Sequence, residues 1–166
     1  MSTYIPEVRS DLPLTVTHEV RDRCICLHLQ RAARAIGRRF DEALRPVGLS
    51  NQQYSLLVSL NRPEPPKMGD VAELLAMDRT TLTANLKPLE RRRLLTVTPD
   101  PKDRRSRRLA LTEAGRDLLV TAVPIWRATH DEVDRLLVSD DTALLRADLL
   151  ALTFEGKPNG GSAGPG

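Results

Sequence analysis

Apolar residues recur at helical spacing over most of the chain. From His18 to Leu44 they fall three and four residues apart on one face, and no proline interrupts them, which predicts a long first helix. Pro46 and Gly48 end this pattern, and Ser50 is a suitable N-cap for a second helix over 51–61. The apolar positions of the first helix are Ile25, Leu29, Ala32, Ala33, Ile36, Phe40 and Ala43.

Two shorter helical patterns follow, with a tight turn between them. After the proline-rich connector 62–67, apolar residues at positions i, i+3 and i+4 predict a helix over 68–76. Asp78 is placed to cap the next helix, over 79–93. Such a pair predicts a helix-turn-helix. Pro88 leaves two alternatives, because it either bends the second helix or marks a shorter one.

A hairpin and two further helices complete the pattern. The stretches 95–98 and 109–111 are strand-like and flank an arginine-rich turn. A long helix is predicted from 112 to about 138, kinked at Pro124, and an amphipathic helix over 140–152. The predicted fold class is therefore mostly α with a small β-hairpin wing, a winged helix-turn-helix with extra helices from both termini.

Composition narrows the class of protein. The 166 residues are 40% hydrophobic but only 3% aromatic, which suits one domain with a core of Leu, Val and Ala. No stretch reaches the roughly 18 apolar residues of a membrane span, and the first residues lack a signal-peptide pattern, so a cytoplasmic location without a membrane partner is expected. Residues 1–17 are expected to form a flexible arm and 153–166 a disordered tail.

Positive charge is concentrated in the second half of the predicted helix-turn-helix and in the hairpin. From Arg79 to Arg108 there are ten Lys and Arg residues and three acids, a local charge of +7 on a chain whose net charge is +3. A local excess of one sign favours a polyanionic partner. A solvated charged surface is the alternative.

The helix predicted over 79–93 has two different faces. Leu82, Leu86 and Leu89 share the face that packs on the domain. A helix with short polar and methyl groups first and cations later fits the major groove, where it meets base edges and phosphates. The alternative is an ordinary amphipathic helix. The predicted DNA-facing and flanking residues are Arg79, Thr80, Thr81, Thr83, Ala84, Lys87 and Arg91.

The turn of the hairpin carries five cations in residues 100–108. A wing tip beside a groove-bound helix lies over the minor groove, whose negative potential attracts arginine, and Arg105 is predicted there. Asp103 is expected to pair with the guanidinium of Arg105 and hold it extended. Alternation along the hairpin leaves open which other cations point away from DNA. The candidates for flanking phosphates are Arg104, Arg107 and Arg108.

Three segments together resemble the MarR family of bacterial transcriptional regulators. They are MGDVAELLAM (68–77), DRTTLTANLKPLERRRLL (78–95) and DPKDRRSRRLALTEAG (100–115), the last with the family's D-x-R … LT-x-x-G wing signature. The resemblance spans about residues 20–152. It implies a homodimer formed through 18–48 and 112–152, with the winged helix-turn-helix at 49–111. It also implies binding to a pseudo-palindromic double-stranded operator, as a repressor released by a ligand or by oxidation.

The resemblance also implies that the protein responds to a signal. A small-molecule effector is expected between the dimer helices and the winged helix, and the candidate lining residues are His28, Phe40, Tyr54 and Trp126. The alternative is redox release through Cys26, which matches the reactive cysteine of the family's hydroperoxide-sensing branch. That branch has tyrosines where this chain has Phe40 and Asn51, and phenylalanine cannot hydrogen-bond a thiolate.

Other classes of function have less support. Cys24 and His28 share a helix face, but two ligands are too few for a structural metal site, so no metal is expected. The chain has no glycine-rich phosphate loop and no Ser-His-Asp order, so neither an enzyme nor a cofactor is expected. A winged helix that binds another protein and never DNA remains the alternative from a different class.

Overall fold

A computed structural model of the chain describes residues 11–103, 105–139 and 141–153. The predicted fold class is confirmed, because this part of the chain consists of helices and a single two-stranded antiparallel hairpin. The expected tail from residue 154 onwards and the first ten residues of the expected arm lie outside the described residues. The elements are α1 (Leu14–Arg23), α2 (Ile25–Leu44), a short 3-10 helix (Arg45–Val47), α3 (Asn51–Ser59), α4 (Met68–Leu74), α5 (Arg79–Arg91), β1 (Leu95–Pro99), β2 (Arg107–Leu111), α6 (Glu113–Asp134) and α7 (Thr142–Ala151).

The chain divides into two compact units, residues 1–39 and 40–166, and the division falls within α2. In the first unit, α1 begins at Leu14, so helix replaces the irregular arm that the sequence predicted up to residue 17. Pro13 occupies the N-cap, where its missing N–H removes no helical hydrogen bond. None of the residues of α1 is buried in this unit.

The predicted helix over 18–44 is broken at Cys24. The backbone of Cys24 is extended, with ψ at 100°, and its N–H donates to the Val20 carbonyl to close α1. Its sulfur accepts the backbone N–H of Leu27 at 3.4 Å and so caps the start of α2. One residue therefore ends one helix and begins the next. Cysteine is not a usual capping residue, so this role was not predictable from the sequence.

The second unit is built around a leucine core. Ser50 caps α3 as predicted, in a reciprocal capping box with Gln53. From α3, α5, α6 and the hairpin, leucines converge on one cluster, and the best-buried side chains are fully removed from solvent. These are Leu44, Leu56, Leu57, Leu82, Leu89, Leu95 and Leu109.

The helix-turn-helix consists of α4 and α5. Helix α5 continues through Pro88 and ends at Arg91, two residues earlier than predicted, so the proline does not terminate it. Arg93 then takes a left-handed backbone conformation, with φ at 57°, and turns the chain into β1. The helical backbone therefore stops because of this turn and not at the proline.

The hairpin pairs Leu95 with Leu111 and Val97 with Leu109. Both strands are longer than the sequence predicted, reaching Pro99 and Arg107 at the tip. Thr112 caps α6, and α6 ends at Asp134, earlier than predicted. Within the described segments, none of the helices combines the length and apolar character needed to cross a membrane.

Candidate nucleic-acid interface

The outer face of α5 carries a stripe of four exposed residues. Thr80, Ala84, Lys87 and Arg91 follow each other at spacings of four, three and four, and all are exposed. The opposite side is buried in the core through Leu82, Leu86 and Leu89. The helix spans about 20 Å at 1.5 Å per residue, enough to cross a major groove.

The first turn of α5 is fixed by its cap. Asp78 accepts the backbone N–H of Thr81 at 2.8 Å and its hydroxyl at 2.6 Å. These bonds, the hydroxyl of Thr81 first, lower the pKa of the Asp78 carboxyl, so the cap is ionised at neutral pH. The hydroxyl of Thr83 donates to the carbonyl of Arg79 at 2.7 Å. Thr81 and Thr83 thus keep only acceptor capacity for an outside partner, whereas Thr80 is exposed.

The cations of α5 are not neutralised by the rest of the described chain. Arg79, Lys87 and Arg91 are exposed, and within the described ranges their charged groups have no acidic partner. An unpaired cation at the end of a solvent-facing helix is available to a phosphate.

At the wing tip, Asp103 acts on the backbone of Arg105. Its carboxylate accepts the backbone N–H of Arg105 at 3.0 Å, whereas the sequence predicted a pair with the guanidinium. The carboxylate of an aspartate lies close to the backbone N–H two residues later. It therefore forms this local turn more readily than it pairs with the guanidinium of that residue. The guanidinium of Arg105 is exposed and has no ion-pair partner among the described residues.

The other wing arginines differ in their surroundings. Arg107 is exposed and donates to the carbonyl of Ser106 at 3.3 Å. Arg108 is partly buried and turns towards the base of the wing, so it does not lie with the tip cations. Arg104, also predicted to contact DNA, lies outside the described residues.

Asp100 is a buried acid that sequence reasoning counted only as a charge. Its side chain is fully buried, its Oδ2 accepts from Arg108 Nε at 3.0 Å and its Oδ1 from the backbone N–H of Lys102 at 2.8 Å. The Lys102 bond, and then the positive charges of Arg108 and Lys67, hold the pKa of this carboxyl below its usual value against the effect of burial. The hairpin register, Thr98 opposite Arg108, is the signal that could have revealed the pair.

A cavity of about 730 Å³ lies between α3, α4 and α6 in the second unit. Tyr54 and Trp126, two of the four predicted effector residues, line it, and their rings stack with centroids 6.1 Å apart. Burial raises the pKa of Tyr54, partly opposed by the charge of Arg127, which also lines the cavity. The remaining walls are mostly aliphatic, and include Val58, Leu74, Leu119 and Val123.

The other predicted sensing residues make contacts of different kinds. Phe40 lies edge-on to His130, with centroids 6.4 Å apart. His28 places Nδ1 2.8 Å from the carbonyl oxygen of Cys24, and Cys26 is exposed with its sulfur accepting from Gln30 Nε2 at 3.3 Å. In the part of the chain that the structure describes, no three His, Cys, Asp or Glu side chains cluster as metal ligands do.

Comparison with known proteins gives consistent matches. A family model described as MarR family matches residues 47–106. The transcriptional activatory protein BadR of Rhodopseudomonas palustris is 35% identical over 63% of this chain and 62% of its own length. The organic hydroperoxide resistance transcriptional regulator of Bacillus subtilis is 30% identical over 65% of this chain and 74% of its own length. The M. tuberculosis regulator MosR, solved in complex with DNA, superposes with a TM-score of 0.71 at 37% identity, over 79% of this chain and 94% of that one.

Proposed function

Because this chain belongs to the MarR family of winged helix-turn-helix transcriptional regulators, we propose that it is a homodimeric repressor that binds a pseudo-palindromic DNA operator. One observation supports this proposal most directly, the exposed stripe of α5, whose cations have no acidic partner among the described residues. Repression is the proposed direction of control, although the relative BadR is named as an activator. The proposal includes release from the operator by a small molecule.

Groove binding follows from the side chains that α5 and the wing expose. Thr80 and Ala84 present a hydroxyl and a methyl group of the kind that meets base edges in the major groove. Lys87 and Arg91 continue the same stripe towards the phosphates. The backbone N–H of Arg105 donates to Asp103 in the turn, and the exposed guanidinium of Arg105 is suited to the minor groove next to that major groove.

We expect Arg105→Ala to weaken operator binding and to lower the salt slope of the binding constant by about 1, because one phosphate-region cation is lost. The measurement is a salt titration of binding to a duplex selected from genomic DNA by the wild-type protein. An unchanged slope would remove Arg105 from the interface. If the wild-type protein retained no genomic fragment even at low salt, the protein-binding alternative would replace the DNA-binding one.

Dimerisation is supported by apolar surface that the single chain leaves exposed. In α7, Leu144 and Leu150 are 57% and 56% exposed, and in α1 Leu14 is 62% exposed. Several exposed leucines on one short helix, as on α7, mark an interaction surface. Two recognition helices about 34 Å apart would then read successive major grooves.

Light scattering of the purified protein is expected to give about twice the 18.5 kDa mass of one chain. The leucines of α7 predict that Leu145→Glu shifts this mass towards a single chain, because a carboxylate cannot be buried unpaired in an apolar interface. Ala143→Glu, also exposed on α7, is the matched control. A wild-type mass of one chain at micromolar concentration contradicts the dimer.

The cavity beside Tyr54 is the proposed effector site. Its aliphatic walls favour an apolar molecule, and the stacked pair of Tyr54 and Trp126 favours a planar one. The Tyr54 hydroxyl and the nearby Arg127 are the polar groups that could orient such a ligand. Residues of α3 and α4 form part of the cavity walls, and both helices pack against α5. A ligand in the cavity would therefore contact the helices that position α5.

Redox release at Cys26 is the second candidate, favoured by the exposure of its thiol and by the hydrogen bond from Gln30. We expect Cys26→Ser to retain wild-type DNA affinity, because Cys26 lies outside the proposed interface. The measurement is DNA binding of both proteins with and without organic hydroperoxide. If peroxide releases the wild-type protein but not Cys26→Ser, oxidation is the signal and the small-molecule proposal is wrong.

A further inference from the structure

The base of the wing is held by an ion pair that the proposed DNA contacts do not use. The Asp100 side chain is fully buried and that of Arg108 is 26% exposed, with Nε and Oδ2 3.0 Å apart. The second oxygen of the same carboxylate accepts the backbone N–H of Lys102. One buried carboxylate thus holds both a strand arginine and the first residues of the turn.

The other end of the same guanidinium reaches a different part of the fold. Arg108 Nη1 donates to the carbonyl of Pro65 at 2.8 Å, and the Leu109 N–H donates to the carbonyl of Pro66 at 3.0 Å. Lys67 forms an isolated antiparallel bridge with Arg108. The connector therefore lies along the free edge of β2, and it leads directly into α4 at Met68.

We propose that Arg108 and Asp100 are a positioning pair, which fixes the wing relative to the helix-turn-helix before DNA binds and does not itself contact DNA. This inference rests on the proposed DNA-binding function. Arginine suits the role because its planar group donates in two directions at once, here to Asp100 and to Pro65. A wing that is already in place avoids the free-energy cost of being ordered on binding.

The direction in which Asp100→Asn changes the DNA affinity tests this positioning role against a purely electrostatic one. Asp100→Asn removes a negative charge, so electrostatics alone would strengthen binding to DNA. The positioning role requires the opposite result, because the neutral amide holds Arg108 less firmly. Arg108→Lys keeps the positive charge, but a single ammonium cannot reproduce the two-directional contact with Asp100 and Pro65.

The experiment is a salt titration of binding to a duplex selected from genomic DNA with the wild-type protein. We expect Asp100→Asn and Arg108→Lys each to weaken binding about tenfold with the salt slope unchanged, since no phosphate contact is lost. Arg135→Lys is the matched control, because it exchanges the same residue types at an exposed position at the end of α6, outside α5 and the wing. The control is expected to stay within about twofold of wild type, since it keeps the positive charge and lies outside the proposed DNA contacts.

Amide hydrogen exchange in the free protein supplies a second readout. Both variants are expected to exchange faster at Lys102 and Leu109, whose N–H groups are bonded at the wing base. Core amides such as that of Leu57 should keep their wild-type protection.

Three results would overturn the positioning role. They are wild-type affinity in both variants, tighter binding to DNA by Asp100→Asn, and a loss of protection that extends through the core. The first two leave the DNA-binding function intact. Failure of the wild-type protein to bind any selected duplex overturns that function, and the positioning role with it.

Discussion

Gly115→Ala is expected to lower the free energy of unfolding by about 3 kcal/mol, the upper part of the range for overpacking a core. A Cβ built on Gly115 overlaps the carbonyl oxygen of Leu94 and lies 3.1 Å from a methyl group of Leu111. The oxygen belongs to the backbone, so no change of side-chain rotamer relieves the contact. Urea unfolding at a fixed protein concentration measures the effect.

The contact matters because Leu94 joins α5 to the wing. Its carbonyl accepts the Thr112 N–H at 3.2 Å, and the hydroxyl of Thr112 donates to the carbonyl of Arg93 at 2.7 Å. The same hydroxyl oxygen accepts the N–H of Gly115. The LT-x-x-G motif therefore ties the start of α6 to the end of α5, and glycine is needed where the two backbones meet.

Gly69→Ala is the matched control. Gly69 is also helical, but a Cβ there meets nothing within 4 Å. Alanine is intrinsically the better helix former by up to about 1 kcal/mol, so this variant is expected to be as stable as wild type or more stable. Equal unfolding midpoints for Gly115→Ala and wild type would mean that the backbones at Leu94 are further apart than in the structure.

Local chemistry made much of this fold predictable. Ser50, Asp78 and Thr112 were predicted as helix starts, and each accepts the backbone N–H of the residue three positions later. The side chain and the group that it caps are close in sequence, so no knowledge of the tertiary fold is needed. The buried face of α5 was predictable for the same reason, because helical spacing alone aligns its leucines.

Features that depend on distant groups were not predictable. Nothing local distinguishes Asp100 from an ordinary turn aspartate until the hairpin register brings Arg108 beside it. The break at Cys24 has no glycine or proline to mark it. The predicted Asp103–Arg105 side-chain pair used the correct residues but the wrong group, since local geometry favoured the backbone N–H.

The proposed interface leads to the largest expected functional effect, in Ala84→Glu. Ala84 is exposed at the centre of the α5 stripe, between Thr80 and Lys87. A carboxylate there faces the phosphates and the base-edge acceptors of the groove. It repels the phosphates and offers the acceptors no hydrogen-bond donor. We expect operator affinity to fall about 100-fold or more, as for other like-charge juxtapositions across an interface.

The fold should tolerate this change, because glutamate forms helices well and the side chain is exposed, so stability is expected to stay within about 0.5 kcal/mol of wild type. Ala84→Gln separates charge from size and should lose less affinity. Ala114→Glu, exposed in the first turn of α6, adds the same charge away from the stripe and should bind DNA nearly as wild type does. If Ala84→Glu and Ala114→Glu weakened binding equally, the effect would come from net charge alone, and α5 would not be the helix in the groove.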